Sequence, residues 1–172
     1  MGGGLTRAWP GGSEGLSVRH GLVAIEGGCG TRLRDAPVGP FTMNKLLLAY
    51  AATALVMLAL DMLWLGVIAK PLYQQGIGHL MAEKPILPIA ALFYAMYPVG
   101  LMIFAVTPHA AAEWHRALLA GALFGFFAYA TYDLTNLATL KNWPWGLALL
   151  DIAWGTAVSG VAVVVGRVVY LR

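Results

Sequence analysis

The chain has 172 residues, of which 59% are hydrophobic and 11% are charged, and the charges fall between long apolar runs rather than along one face of each run. A soluble domain needs charged faces on its surface helices, so this distribution excludes a soluble class and predicts a polytopic membrane protein. The net charge of +3 comes from single cations at the ends of the runs without a basic stripe, so nucleic acid is not a predicted partner. The one cysteine, Cys29, excludes an intrachain disulfide framework and a cysteine-based metal cluster.

Residues 1–42 differ in composition from the rest of the chain. They are rich in Gly and Arg, have no hydrophobic periodicity, and lack the apolar core and cleavage site of a signal peptide. Met43 then begins Met-Asn-Lys followed by an apolar run, which is typical of a signal-anchor helix. Two interpretations stay open: residues 1–42 are upstream sequence translated from a mis-annotated start, or they form a disordered cytoplasmic leader. Both interpretations predict that residues 43–172 are the membrane domain.

Four apolar runs are each long enough to cross a hydrocarbon core of about 30 Å, which takes roughly 20 helical residues. The predicted spans are about 46–69, 86–106, 117–140 and 145–165. Short connections predict that neighbouring spans are antiparallel. We therefore expect an all-α fold, a bundle of four transmembrane helices, with Trp114, Trp143 and Trp145 in the headgroup region at the span ends.

The cations after Met43 predict the orientation of the bundle. Four lie on the side of the two termini: Lys45, Arg116, Arg167 and Arg172. Three lie on the opposite side: Lys70, Lys84 and Lys141. Because cytoplasmic loops carry an excess of Lys and Arg, we expect both termini in the cytoplasm.

Three acids lie inside the apolar runs: Asp61, Asp133 and Asp151. Asp61 lies nine residues before Lys70, Asp133 eight before Lys141 and Asp151 ten after Lys141. Each is therefore on the order of 12 to 15 Å inside the same non-cytoplasmic boundary at a helical rise of about 1.5 Å per residue. A carboxyl that faces lipid costs roughly 2.5 to 3.5 kcal/mol, so we predict that the three acids converge on one buried polar site, with Asp133 at its centre. Further members are predicted at the same level: Asn136, Tyr94, Tyr129, Tyr132, Trp64 and Trp154.

The loop between the first two spans contains His79 and Glu83. If this loop is helical, their four-residue spacing would let them share a divalent cation or a proton. Two ligands without a third make a poor metal site, so we predict no metal and no other cofactor. The simpler interpretation is an interfacial loop with an incidental histidine.

Small residues predict where two helices touch. Gly121 and Gly125 recur four residues apart in the third span, and Gly155 and Ser159 do so in the fourth. Small residues at this spacing let helix backbones approach closely, so we expect the third and fourth spans to pack through them. The alternative is a homodimer that forms along Gly121 and Gly125.

Four stretches carry a resemblance to a known family: DMLWLG (61–66), Tyr73 with GHL (78–80), AYATYDLTNLATLKNW (128–143) and DIAWGT (151–156). Together they resemble a bacterial family of small inner-membrane proteins, domain of unknown function 2177. The resemblance covers Met43 to about Arg167 and supports a start at Met43. It implies a four-span architecture in the bacterial inner (cytoplasmic) membrane, and it carries no activity, substrate or catalytic residue.

Three classes of function fit these residues. A carrier would use buried acids to bind and release a small molecule or a proton, and four spans are so few that it would have to dimerise. A membrane enzyme acting on a lipid or isoprenoid would use one acid as proton donor and another as base. A structural or assembly subunit would use the acids only to set helix register. No Ser-His-acid arrangement, His-rich box or phosphate loop supports the enzyme, so the catalytic residues stay unknown.

Overall fold

The structure is a computed structural model that describes residues 40–172. The two interpretations of residues 1–42 concern a segment that lies outside these described residues, apart from its last three positions. Helix α1 covers Pro40–Leu63 and continues as a π-helix over Trp64–Ile68, and the short helix α2 covers Lys70–Ile77. A 3-10 turn, Gly78–Leu80, precedes helix α3, Leu87–Leu101, which continues as a second π-helix over Met102–Val106. Helices α4 and α5 cover Trp114–Thr139 and Trp145–Tyr170.

Within residues 40–172, four helices are long and apolar enough to cross a membrane, and no strand is present. Their spans are Thr42–Ile68, Leu87–Val106, Trp114–Thr139 and Trp145–Tyr170. The prediction of an all-α fold with four transmembrane helices is therefore confirmed. The side of the membrane on which the termini lie stays a prediction.

Proline and π-turns shape the ends of the first two spans. Helix α3 carries Pro88 in its first turn, where a missing amide hydrogen costs nothing. At the other end of this span, the Thr107 amide and hydroxyl both donate to the Met102 carbonyl, at 3.0 and 2.9 Å. The first span closes in a similar way, because the Ala69 amide donates to the Trp64 carbonyl at 2.7 Å. Such π-turns are rare and are found frequently at functional sites.

Helix α5 lies at the centre of the bundle and packs most extensively against α4 and then α1. Helices α4 and α5 approach closely, since a Cβ at Gly125 would collide with the Gly155 carbonyl oxygen and one at Gly121 would lie 2.7 Å from Val163. These glycines are covered by α5 of the same chain, so a homodimer would have to use a different surface.

The bundle divides into two halves along its length. The half nearer the two ends of the described segment, here called the apolar half, holds a dry core that includes Met57, Leu101, Val106, Val158 and Val163. The opposite half holds the three acids and is called the acidic half. Arg167 closes the apolar half, because its guanidinium donates to the His109 carbonyl at 3.3 Å and to the Ala112 carbonyl. This contact ties the connection between the second and third spans to α5.

Candidate functional site

The three acids of the acidic half are buried inside the bundle. The exposed fractions of Asp61, Asp133 and Asp151 are 3%, 1% and 9%. Asp61 lies seven residues before Ile68, Asp133 six before Thr139 and Asp151 six after Trp145, so each is about 9 to 11 Å inside the end of its span. Carboxyls at this depth must find partners within the protein, because lipid supplies none.

Asp61 is held by tryptophan and tyrosine side chains. Trp154 on α5 donates its indole N–H to Asp61 Oδ1 at 2.8 Å, which joins the fourth span to the first. The Trp154 ring stacks on Trp64, with ring centroids 4.4 Å apart and planes 4° apart. Tyr94 of α3 places its hydroxyl beside the same carboxyl. The Asp–Trp pairs at 61–64 and 151–154 thus bring two acids and two stacked indoles to the lining of one space.

Asp151 receives a hydrogen bond from the Tyr73 hydroxyl on α2. Helix α2 reaches this position because Gly76 lies against Pro144 at the start of α5, where an added Cβ would be 3.0 Å from the proline ring. Burial, and then the bond to Asp151, raises the pKa of the Tyr73 hydroxyl above its ordinary value near 10. Tyr73 therefore stays neutral and remains a hydrogen-bond donor at physiological pH.

Asp133 is satisfied on one side only. The Trp143 indole N–H donates to Asp133 Oδ1 at 3.3 Å, and Oδ2 has no hydrogen-bond partner within the described part of the chain. The turn that brings Trp143 back to α4 contains Asn142 with φ of 61°, a left-handed conformation that asparagine tolerates better than most residues. The prediction that Trp143 sits in the headgroup region is wrong, because its side chain is 9% exposed and points into the bundle. Trp114 and Trp145 are exposed, as expected of residues at the span ends.

Asp133 was predicted at the centre of the three acids, but in the structure Asp151 is the acid that interacts electrostatically with both of the others, Asp61 and Asp133. All the hydrogen bonds that these carboxyls receive come from neutral indole and phenol groups, and no Lys, Arg or His between residues 40 and 172 forms an ion pair with them. Among the described residues, the three acids are therefore held by neutral hydrogen-bond donors and not by ion pairs.

Two of the acids line a small, partly open space of about 120 Å³, here called the acidic cavity. Its walls are formed by Asp61, Trp64, Leu65, Tyr73, Phe93, Tyr94, Tyr129, Asp151 and Trp154. Asp133 does not line it. The Trp64 indole N–H faces the Tyr73 hydroxyl and has no hydrogen-bond partner of normal geometry among the described residues.

A second space of about 410 Å³ adjoins the acidic cavity and is called the aromatic groove. It is lined by Phe93, Tyr97, Ala128, Tyr129, Tyr132 and Asp151. Three residues belong to both spaces: Phe93, Tyr129 and Asp151. The groove therefore ends at a carboxyl that also borders the cavity.

The remaining predicted members of the site are divided between its wall and its edge. Tyr129 lies in the wall, with its ring against Gly155. Tyr132 is 53% exposed and packs edge-on against Trp143, with ring centroids 5.8 Å apart. Asn136 is half-buried beside Tyr132 and forms no hydrogen bond with Asp133. Asp133 and Asn136 therefore lie on one face of α4 without a hydrogen bond between them.

The structure does not place His79 and Glu83 on one helix. His79 lies in the 3-10 turn that ends at Leu80, and Glu83 follows in irregular chain, with both side chains exposed. The helical alternative for this loop is therefore wrong. Over residues 40–172, no group of three or more His, Cys, Asp or Glu side chains could hold a metal ion.

Sequence reasoning missed four aromatic residues of the site: Phe93, Tyr97, Tyr73 and Trp143. Tyr97 shares a 2.9 Å hydrogen bond with the Ser159 hydroxyl and packs against Tyr129, so Ser159 binds a partner as well as permitting close packing. Tyr73 and Trp143 both fall within the stretches that carry the family resemblance. Their place in these stretches was the only sign in the sequence that they belong to the site, since neither residue lies in a predicted span.

Fold and site together define a four-span membrane protein with a buried cluster of acids. A family model described as predicted membrane protein (DUF2177) matches residues 46–168. The chain belongs to this family. Searches of curated proteins and of solved structures returned no match.

Proposed function

We propose that the protein binds a small molecule carrying a cationic amine in the acidic cavity. The observation that carries this proposal is that Asp61 and Asp151 border one small space with only neutral hydrogen-bond donors around them. Two neighbouring carboxyls in a medium of low dielectric repel each other when both are ionised. A cation placed between them removes that repulsion, and an amine also donates hydrogen bonds to both.

The walls of the cavity suit an ammonium group. The faces of Trp, Tyr and Phe attract cations through the ring quadrupole, an interaction worth about 2 kcal/mol when it is desolvated. Stacked Trp64 and Trp154 and the ring of Tyr129 supply such faces beside the two acids. A volume of about 120 Å³ corresponds to roughly four water molecules at about 30 Å³ each. The cavity thus fits an amine head with a few carbons rather than a large solute.

A proton is the smallest cation that could satisfy the same acids. A protonated acid neutralises the charge but leaves the cavity and its aromatic walls without a role. The amine uses both features, so we place it first.

We also propose the location that the family resemblance implies, the bacterial inner membrane, with both termini in the cytoplasm. The support for this orientation is the excess of cations on the side of the termini.

Calorimetric titration of the full chain in lipid nanodiscs with propylammonium chloride at pH 7 tests the amine proposal. We expect saturable binding by the wild type and at least a tenfold loss of affinity in Asp61→Asn and Asp151→Asn, about 1.4 kcal/mol each. Asn keeps the shape of Asp and removes its charge, so the helices should pack unchanged. Asp133→Asn should lose less, because Asp133 lies outside the cavity wall.

Glu113→Gln is the matched control, since it removes a carboxylate from an exposed position. It should bind as the wild type does, and each variant should elute and melt as a folded protein. Wild-type protein that releases no saturable heat, or equal affinities for all variants, would overturn the proposal.

A further inference from the structure

The aromatic groove opens sideways between α3 and α4. Helix α3 packs mainly against α1 and against its own π-helical continuation, and it is that continuation, Met102–Val106, that packs against α4. In the acidic half the space between α3 and α4 is spanned by side chains, with the Tyr97 and Tyr129 rings 6.3 Å apart and nearly perpendicular. The groove lies beside these rings.

The mouth of the groove lies within the hydrocarbon layer. Phe93 is six residues after Leu87, and Tyr132 is seven before Thr139, which places both about 9 to 11 Å inside the span ends. Both side chains are exposed on the outside of the bundle. A molecule entering here comes from the bilayer and not from water.

The aromatic groove differs from an ordinary lipid-facing surface because an acid, Asp151, is part of its lining. A second groove of about 460 Å³ runs along α4 on Phe126, Phe127, Ala130 and Leu134, and no acid lines it. The aromatic groove has a similar size, about 410 Å³, but ends at Asp151. Its volume falls in the range of roughly 300 to 1,000 Å³ that small-molecule pockets occupy. Charge therefore distinguishes one groove from the other.

We infer that the ligand is a single-chain amphiphile with an amine head, which enters laterally from the bilayer between α3 and α4. Its head binds between Asp61 and Asp151 in the acidic cavity, and its alkyl chain lies in the aromatic groove against Phe93 and Ala128. This inference rests on the proposed function and adds the class of ligand and its route. The support for it is that Asp151, Tyr129 and Phe93 border both spaces, which places the acidic cavity and the aromatic groove side by side.

Photo-crosslinking of the full chain in nanodiscs tests the inference. The probe is a C16 primary amine with a diazirine at mid-chain, and the matched probe is the C16 alcohol, which carries the same chain without a charge. We expect saturable labelling by the amine on peptides that contain Phe93, Tyr97 or Ala128, and displacement by excess propylammonium. The alcohol should label the lipid-facing surface without saturation.

Two substitutions on α4 separate the groove from the rest of the surface. Ala128→Trp fills the aromatic groove and should reduce saturable labelling about tenfold or more, while leaving calorimetric binding of propylammonium unchanged. Ala138→Trp makes the same change in the second groove and should have no effect on either measurement.

Labelling that is as strong in Ala128→Trp as in the wild type, or that does not saturate, overturns the lateral route. If propylammonium still binds in that case, the acidic cavity keeps its proposed function and only the amphiphile is excluded. If propylammonium does not bind the wild type at all, the proposed function itself fails.

Discussion

In the apolar half of the bundle α4 and α5 meet through glycine, whereas in the acidic half α3 stands away from α4 and large rings fill the space. Gly121 lies against Val163, and Gly125 lies against the backbone of Gly155. At the other end, Tyr97, Tyr129 and Trp154 occupy the interior and leave the acidic cavity and the aromatic groove, which share three lining residues. Small residues allow close packing of backbones, and stiff rings beside buried acids do not interdigitate as fully.

This difference fits the proposed function: the apolar half supplies stability, and the acidic half supplies the proposed binding site. Close backbone contact in the apolar half contributes dispersion and excludes cavities, which stabilises the bundle. The acidic half contains buried carboxyls, an indole N–H and a carboxyl oxygen without partners among the described residues, and open volume, all of which are unfavourable. Such a cost is common at sites that bind ligands. The following substitutions test this division, from the largest expected effect to the smallest.

Gly125→Ala should give the largest effect, because the new methyl group meets a rigid backbone carbonyl. We expect a loss of about 3 kcal/mol or more in the free energy of unfolding, or failure to accumulate as folded protein. Gly146→Ala is the matched control in α5, since nothing lies within 4 Å of its added Cβ, and it should stabilise the helix by about 0.5 to 1 kcal/mol. Thermal unfolding in detergent measures both. Equal melting of the two variants would show that the glycine contact is not what holds the apolar half together.

Tyr73→Phe should give an intermediate effect in the acidic half. It removes the hydroxyl that donates to Asp151, and we expect a loss of about 1 to 2 kcal/mol at pH 7. The pKa of Tyr73 is raised in the folded state, so its contribution is complete below the unfolded pKa of about 10 and is lost as the pH rises further through the folded value. Unfolding measured between pH 7 and pH 11 checks this. The difference between the variant and the wild type should not shrink below about pH 10, and a gap that closes between pH 7 and 9 would contradict the assignment.

Substitutions at Asn142 test the turn that places Trp143 beside Asp133, and the change to glycine should give the smallest effect of all. Asn142→Gly should change stability by only a few tenths of a kcal/mol, because glycine adopts a φ of 61° without strain. Asn142→Val should cost about 1 to 2 kcal/mol, because a β-branched side chain resists this conformation. Trp143 fluorescence should then shift toward the red as the indole leaves the bundle. A valine variant that keeps the wild-type spectrum and stability would show that the turn does not depend on Asn142.

The amino-acid sequence by itself determined the number of spans and the burial of the acids. A hydrocarbon layer of about 30 Å demands about 20 apolar residues per helix, and this requirement is visible in composition alone. The penalty for a lipid-facing carboxyl likewise predicted that Asp61, Asp133 and Asp151 would be buried, as they are. The spacing of Gly121 and Gly125 likewise predicted close helix packing, because small residues on one helix face let two backbones approach each other.

Only the tertiary structure decided which donor meets which acid. Trp154 bonds to Asp61 across the bundle and Tyr73 bonds to Asp151 from outside the spans, and these partners are 93 and 78 residues apart in sequence. Each pairing depends on how far a helix is rotated about its axis, which the π-turn at Trp64 changes locally. The central place of Asp151 and the inward position of Trp143 follow from the same rotations and from the left-handed turn at Asn142. Apolar helices present nearly uniform faces to lipid, so hydrophobic periodicity says little about how each helix is rotated about its axis. That rotation is set by contacts between helices.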